Sequence, residues 1–304
     1  MAKRRPPQRR ATTATTKTTR KPVRRSTRGA RARKDGAPRE PWQTGIAGIQ
    51  PNKINVRGYS LDELMGRVSF GEAIFLVLTG ELPTPAVGRL VEALLVSALD
   101  HGATPPSTLA ARNVATTGAQ LNAAAAAGVL AFGSRLGGGG SIDGCFRFLD
   151  EGLGLVGEWV SFDDAARRQV DQMLASGQTP PGFGHRFHTH DPRATRLLQV
   201  ALELELEGRY IQFLRAVERV LAERSANPDE APPAINLDGA IAAVSGDLGL
   251  DAETADVLFM VSRFPGIMAH AIEERHRQSP MRQIDPTSHV YDGPGERRVP
   301  ETRR

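Results

Sequence analysis

From residue 60 onward the sequence is punctuated by helix starts and stops, and these leave little room for anything but a helical fold. Ser60 with Glu63, and Ser69 with Glu72, match the S-x-x-E capping box, in which a hydroxyl and a carboxylate each satisfy a backbone N–H of the first turn. The second box is followed by AIFLVLTG, with Gly80 as its stop. Thr84-Pro85 supplies a cap and a first-position proline for a helix that reads on to Gly102. Further helices are expected over 107–117, 120–133, 161–176 (Ser161 cap, Gly177 stop), 192–207 (Asp191 cap, Pro192 first), 209–224, 238–248 and 252–277. Strand-like alternation is confined to GIAGIQPNKINVRGYS (45–60), enough for a small hairpin. The fold class is all-α.

Charge divides the chain. Residues 1–40 hold 15 Lys/Arg against Asp35 and Glu40, a balance of +13, so the other 264 residues carry −8 of the net +5. That basic tail has almost no large apolar residue and is expected to be disordered. It reads as a solubilising extension, a non-specific polyanion contact or a transit peptide, and without interleaved aromatics or a nucleic-acid fold motif it is no specific nucleic-acid reader. The longest apolar stretch, NAAAAAGVLAFG (122–133), is too short and Ala-rich for a membrane span, so a soluble, cytoplasmic protein is expected. A single cysteine, Cys145, excludes an internal disulfide framework and any CxxC metal clip.

Two stretches concentrate polar chemistry. PGFGHRFHTHDPRA (181–194) carries three histidines, two arginines and an aspartate. His185, His188 and His190 follow no closed metal-ligand pattern, and no metal is expected. Asp191-Pro192 caps a helix, and a histidine and an arginine at that helix mouth suit a carboxylate-bearing ligand. LGGGG (136–140) offers successive backbone amides, but it lacks the GK[ST] ending of a phosphate loop and follows a helix rather than a strand.

GFGHR followed closely by DPRA resembles the signature of the citrate synthase family, which includes the citryl-CoA-cleaving enzymes. The stretch here is one residue shorter before DPR, and Phe187 stands where Ile or Val is usual. INVRGYSLDEL with FGEAIFLVLTGELPT (54–84), DHG (100–102) with STLAAR, INLDGAIAAV (235–244) and FMVSRFPGIMAHAIEE (259–274) are similar to further family segments in colinear order. The resemblance spans about residues 42–294 and implies a large helical domain (41–140 and 241–304) with a smaller lid domain (141–240).

By the same resemblance, Asp238 is the general base and His185 polarises and protonates the carbonyl of a 2-oxo acid. His101 binds that substrate, Arg193 and Arg263 clamp its carboxylates, and Arg282 matches an arginine donated across a homodimer. The implied substrates are an acyl-CoA thioester and a di- or tricarboxylate, with no tightly bound cofactor. Each residue also has a structural reading: Asp238 as a helix cap, His101 as a partner of the preceding helix dipole, Arg263 as a snorkelling helix residue.

One departure bears on activity. SRLGGGGS places Leu136 or Gly137 where the family has a histidine that stabilises the enolate. Either the backbone N–H groups of Gly137, Gly138, Gly139 and Gly140, or a water, replace that donor, or the chain binds a CoA thioester or polycarboxylate in a regulatory role without ordinary condensation. The missing histidine and the IDPTSHVYDGP ending resemble the citryl-CoA lyase branch, so the implied activity is that of a citryl-CoA lyase or citrate synthase.

Overall fold

A computed structural model describes residues 42–133, 141–225, 231–281 and 290–298. The basic tail, Gly137 to Gly140 and Arg282 lie outside the described residues. The described part of the chain is helical apart from one small sheet. Strands β1 (Ala47–Gln50), β2 (Lys53–Val56) and β3 (Tyr59–Ser60) pair antiparallel in that order, so the expected hairpin gains a third, two-residue strand. The chain then runs through α1 (Leu61–Leu64), α2 (Phe70–Thr79), α3 (Pro85–Ser97), α4 (Pro106–Ala115), α5 (Leu121–Leu130) and α6 (Ser141–Leu155). It continues through α7 (Phe162–Ala175), α8 (Pro192–Glu203), α9 (Arg209–Arg224), α10 (Leu237–Asp247) and α11 (Ala252–Arg277).

The caps explain most of these boundaries. Ser69 and Glu72 form the reciprocal box at α2, and Gly80 closes that helix in the left-handed conformation at φ 90°. Thr84 caps α3, Ser161 caps α7, Asp191 caps α8 and Asp251 caps α11, each through a side-chain oxygen that accepts a first-turn N–H. Three expectations fail. The Ser60 hydroxyl donates to Asp62 instead of capping, so no box forms at α1. Helix α3 stops at Ser97, which leaves the DHG segment in a turn. Helix α8 stops at Glu203, because Glu205 takes a left-handed φ of 57°.

Helix α6 was not expected at all. Its interior glycines Gly144, Gly152 and Gly154 weaken the local helix signal. Tertiary burial of Ile142, Cys145, Phe148, Leu149 and Leu153, spaced three and four apart, compensates.

The main core joins side chains of α3 and α6 to α11, with Phe213, Phe259, Leu94 and Leu149 among its buried members. A smaller cluster packs α4 and α5 against Ile267 and Ala271 of α11. Helix α11 is long and apolar enough to cross a bilayer by composition, with a mean hydropathy of 1.2 in its best window. It lies instead against α3, α4, α5, α6 and α10, where Leu258, Phe259 and Ile267 are buried. The described residues from Thr44 onward cluster as one compact unit.

A buried ion pair ties α4 to α11. Arg112 Nε donates to Glu274 Oε2 at 2.8 Å, and the Glu274 side chain is fully buried. Removing one member of such a pair costs far more than its net contribution, because the other charge stays desolvated. Arg112→Ala is therefore expected to lower unfolding stability by about 3–5 kcal/mol in urea titration. A loss below about 1 kcal/mol would show the pair to be solvated in solution.

Candidate active site

The site is assembled by a backbone contact between two distant segments. Phe183 bridges Ile235 in antiparallel fashion, Gly184 N–H donates to Ala234 O at 2.8 Å, and Asn236 N–H donates to Gly182 O at 3.0 Å. The Asn236 side chain also donates to Gly184 O at 2.9 Å. Gly182 and Gly184 have φ of 90° and 74°, a region that favours glycine. A Cβ on Gly239 would stand 2.5 Å from Gly182 O, so the first turn of α10 can approach the turn only without a side chain there. The GFG of the signature and the DG of INLDG are thus two halves of one contact. It brings His185 and Asp238 to the lining of one cavity.

Asp238 is the second residue of α10, and the cap is Asn236, whose side-chain oxygen accepts from Gly239 N–H at 3.1 Å. The capping reading of Asp238 is corrected accordingly. Its carboxylate is free for other work and accepts from the Ser141 hydroxyl at 2.6 Å. Burial pushes its pKa up, against the lowering effects of Ser141, Arg263 and Arg193.

Helix α11 fixes the other wall. Arg263 is only 4% exposed, donates from Nε to Ala98 O at 2.5 Å and lies over the Phe259 ring, so it is a buried anchor rather than a snorkelling residue. Ser262 donates to Leu95 O, and His270 Nε2 donates to Asp100 Oδ1 at 3.1 Å. A Cβ on Gly266 would meet Leu99 O at 2.4 Å, so the helix presses directly on the turn that carries His101. His101 lies four residues beyond the end of α3 and does not close it. Burial and the charge of Arg193 lower the pKa of Arg263 to about 10.

His101, His185, Arg193, Asp238 and Arg263 line one cavity of about 330 Å³, together with Arg186. The imidazoles of His101 and His185 meet edge to face at 5.7 Å. His185 Nδ1 accepts the backbone N–H of Phe187 at 3.1 Å and of His188 at 3.2 Å, which leaves the proton of the neutral ring on Nε2. Arg193 Nη1 lies 3.3 Å from His101 Nδ1, and because arginine can only donate, His101 also carries its proton on Nε2. Burial lowers the pKa of His101 to about 4, with help from Arg193, Arg263, His185 and Arg186. Burial also lowers that of His185, more than Asp191 raises it. Two neutral Nε2–H donors are the result.

Arg193 is held. Its Nε and Nη2 donate to Asp191 at 3.0 and 2.8 Å, and its backbone N–H donates to Asp191 Oδ1 at 3.0 Å. Sequence reading gave Asp191 only its capping role and did not find Ser141 or Arg186. The S/T/D-before-proline signal explains the cap, but no local pattern marks a hydroxyl that reaches Asp238 from 97 residues away.

A family model described as citrate synthase, C-terminal domain, matches residues 83–284. The chain is 32% identical over 217 residues to putative citrate synthase 2 of Mycobacterium tuberculosis, covering 71% of this chain and 54% of that one. It is 29% identical to the citrate synthase of Deinococcus radiodurans, covering 65% of this chain and 50% of that one. It therefore spans about half the length of these curated relatives. Among solved structures it is similar to citryl-CoA lyase from Hydrogenobacter thermophilus, with TM-score 0.76 and 38% identity over 86% of this chain and 98% of that one. A likeness to Thermoplasma acidophilum citrate synthase in a ternary complex has TM-score 0.63 and 23% identity, covers 78% of this chain and 60% of that one, and speaks to fold alone. With its all-α fold, its matched segments in order and a family model that covers more than half of it, this chain belongs to the citrate synthase family.

Proposed function

We propose that this protein makes or breaks the carbon–carbon bond between the acetyl unit of acetyl-CoA and oxaloacetate, as a citryl-CoA lyase or a citrate synthase. The observation that carries the reading is one cavity lined by a carboxylate of raised pKa, two neutral imidazoles, the buried guanidinium of Arg263 and the partly buried one of Arg193. The similarity to the Hydrogenobacter citryl-CoA lyase over nearly that enzyme's whole length supports the lyase direction.

The chemistry follows from the donors. In condensation, Asp238 takes a proton from the methyl carbon beside the thioester, and the resulting enolate attacks the carbonyl carbon of oxaloacetate. His185 Nε2–H gives its proton to the carbonyl oxygen as that oxygen becomes a hydroxyl, and citryl-CoA forms. Cleavage reverses each transfer: the hydroxyl proton returns to His185, the bond breaks, and protonated Asp238 returns its proton to the methyl carbon. A synthase would add hydrolysis of the thioester by water. A neutral His101 donates a hydrogen bond to the oxo acid without presenting a charge, and Arg263 supplies charge to a carboxylate.

The remaining parts of the proposal are structural. Gly137 to Gly140 or a water supplies the hydrogen bonds that the absent histidine would have given to the thioester oxygen. Closure of 141–240 over 41–140 and 241–304 expels water around the enolate. The site is completed in a homodimer by Arg282. The CoA thioester acts as substrate, with no tightly bound cofactor. A regulatory protein that binds the same ligands without turnover is favoured by the absent histidine alone, and the assay below separates the two.

Thiol release from acetyl-CoA with oxaloacetate, and oxaloacetate release from citryl-CoA, are both measured on the wild type and on Asp238→Asn. Turnover in at least one assay is expected, and the variant should lose about 10²–10⁴-fold of it. No turnover with retained citrate binding would favour the regulatory reading.

His101 gives a pH prediction. Its folded pKa of about 4 lies below the ordinary 6.5, so between those values the unfolded chain holds a proton that the folded chain releases. The group therefore leaves stability untouched above pH 6.5 and removes it progressively as pH falls from 6.5 to about 4. In NMR titration its ring signal should move with a midpoint near 4, and a midpoint at or above 6 would contradict a neutral His101.

A further inference from the structure

Asp238 is held from one side by helix α6. Ser141, the first residue of that helix, donates its hydroxyl to Asp238 Oδ2 at 2.6 Å, the short spacing of a charge-assisted O–H···O⁻ bond. Ile142, next in sequence, is fully buried and keeps this end of the helix against the core. One turn on, Cys145 is buried too, and its Sγ would stand 3.2 Å from a Cβ on Gly182. Ser141 and Cys145 lie four residues apart, so one face of α6 both reaches Asp238 and presses on the Gly182–Gly239 contact. The hydroxyl is thus presented from packed helix. It leaves the two carboxylate oxygens unequal: Oδ2 is engaged, whereas Oδ1 accepts from no described residue and is not sealed off, as the Oδ1 of Asp256 on α11 is. Oδ1 stays open to the cavity that Asp238 lines.

We infer that Ser141 is the positioning residue of the base: it fixes the Asp238 carboxyl through Oδ2 and so makes Oδ1 the oxygen that takes the proton from carbon and, in cleavage, returns it. Ser141 itself exchanges no proton and touches no substrate. Its hydrogen bond favours the ionised carboxylate and opposes the burial that raises the Asp238 pKa, so the base stays ionised to lower pH than burial alone would allow. Among the described residues, the other charged and titratable groups that act on Asp238 or feel its charge are Arg263 and Asp256 on α11, Arg193 and Asp191 at the start of α8, and Cys145 on α6. The two arginines also favour the ionised form, and Asp191 opposes it. All five remain when the hydroxyl is removed, so a change in the titration of the base then reports the hydroxyl alone.

The inference rests on the enzymatic reading above, and its test is the pH dependence of kcat, in whichever direction turns over, for the parent, Ser141→Ala and Ser141→Thr. The Ala variant should lose about tenfold of kcat on the plateau and move the acidic limb to higher pH by about half a unit or more. Its KM for either substrate should change by less than about threefold, because the hydroxyl faces the base and not the ligand. The Thr variant keeps the hydroxyl and should recover the limb and most of the rate. An acidic limb that does not move, a loss confined to KM, or a Thr variant that behaves like Ala would overturn the inference. If the parent protein has no turnover, the enzymatic reading fails, and carboxyl-carbon NMR of aspartate-labelled protein decides the contact, with the Asp238 signal identified by its loss in Asp238→Asn. A titration midpoint higher in Ser141→Ala than in the parent sustains the hold of Ser141 on the carboxyl, whereas the same midpoint in both overturns it.

Discussion

The approach of Gly182 to Gly239 is the contact on which the site depends. Two segments more than fifty residues apart meet backbone to backbone, with Asn236 N–H on Gly182 O at 3.0 Å, the Asn236 side chain on Gly184 O at 2.9 Å and no room for a Cβ between Gly182 and Gly239. Everything chemical follows from that distance. His185 leaves one strand of the small bridge, Asp238 begins the helix that follows the other, and both face one cavity. Helix α11 works in the same manner on the opposite wall, where Gly266 lets Arg263 grip Ala98 at the start of the turn that carries His101, while Ser262 holds Leu95 in the last turn of α3. Rigid elements thus hold the proposed catalytic groups, and a small error in placement is costly for chemistry of that kind.

Charge in the cavity is arranged by compensation rather than by count. Asp191 neutralises Arg193, Ser141 hydrogen-bonds Asp238, and the histidines are kept neutral by burial and by nearby guanidinium groups. A raised carboxyl pKa beside two neutral donors suits proton removal from carbon and proton delivery to oxygen in the same step. The same arrangement makes the site attractive to an anion, since Arg263 and Arg186 keep charge that no described carboxylate pairs with directly.

Much of this was legible in the sequence because caps and punctuation are local. Ser69, Thr84, Ser161, Asp191 and Asp251 act through N–H groups two or three residues away, and their helices appear where the residues say they should. The ends were less legible. Helix α3 stops at Ser97 because α11 captures Ala98 O and Leu95 O, a tertiary event. Helix α6 escaped notice because its glycines argue against a helix until its packing partners are known. At the site, the residue types were readable from colinear motifs, but their pairings were not. Nothing near Arg193 announces that Asp191 will occupy its fork, and nothing near Asp238 announces Ser141.

The central claim is that the backbone contact at Gly239 holds the reactive pair in register, and Gly239→Ala tests it most directly. The measurement is the rate of the proposed carbon–carbon bond formation or cleavage by this variant and the parent, with helical content checked by circular dichroism. The account predicts a folded protein whose rate falls by about 10²-fold or more, because a Cβ 2.5 Å from Gly182 O must push the turn that carries His185 away from Asp238. A variant that keeps the parental rate would contradict it.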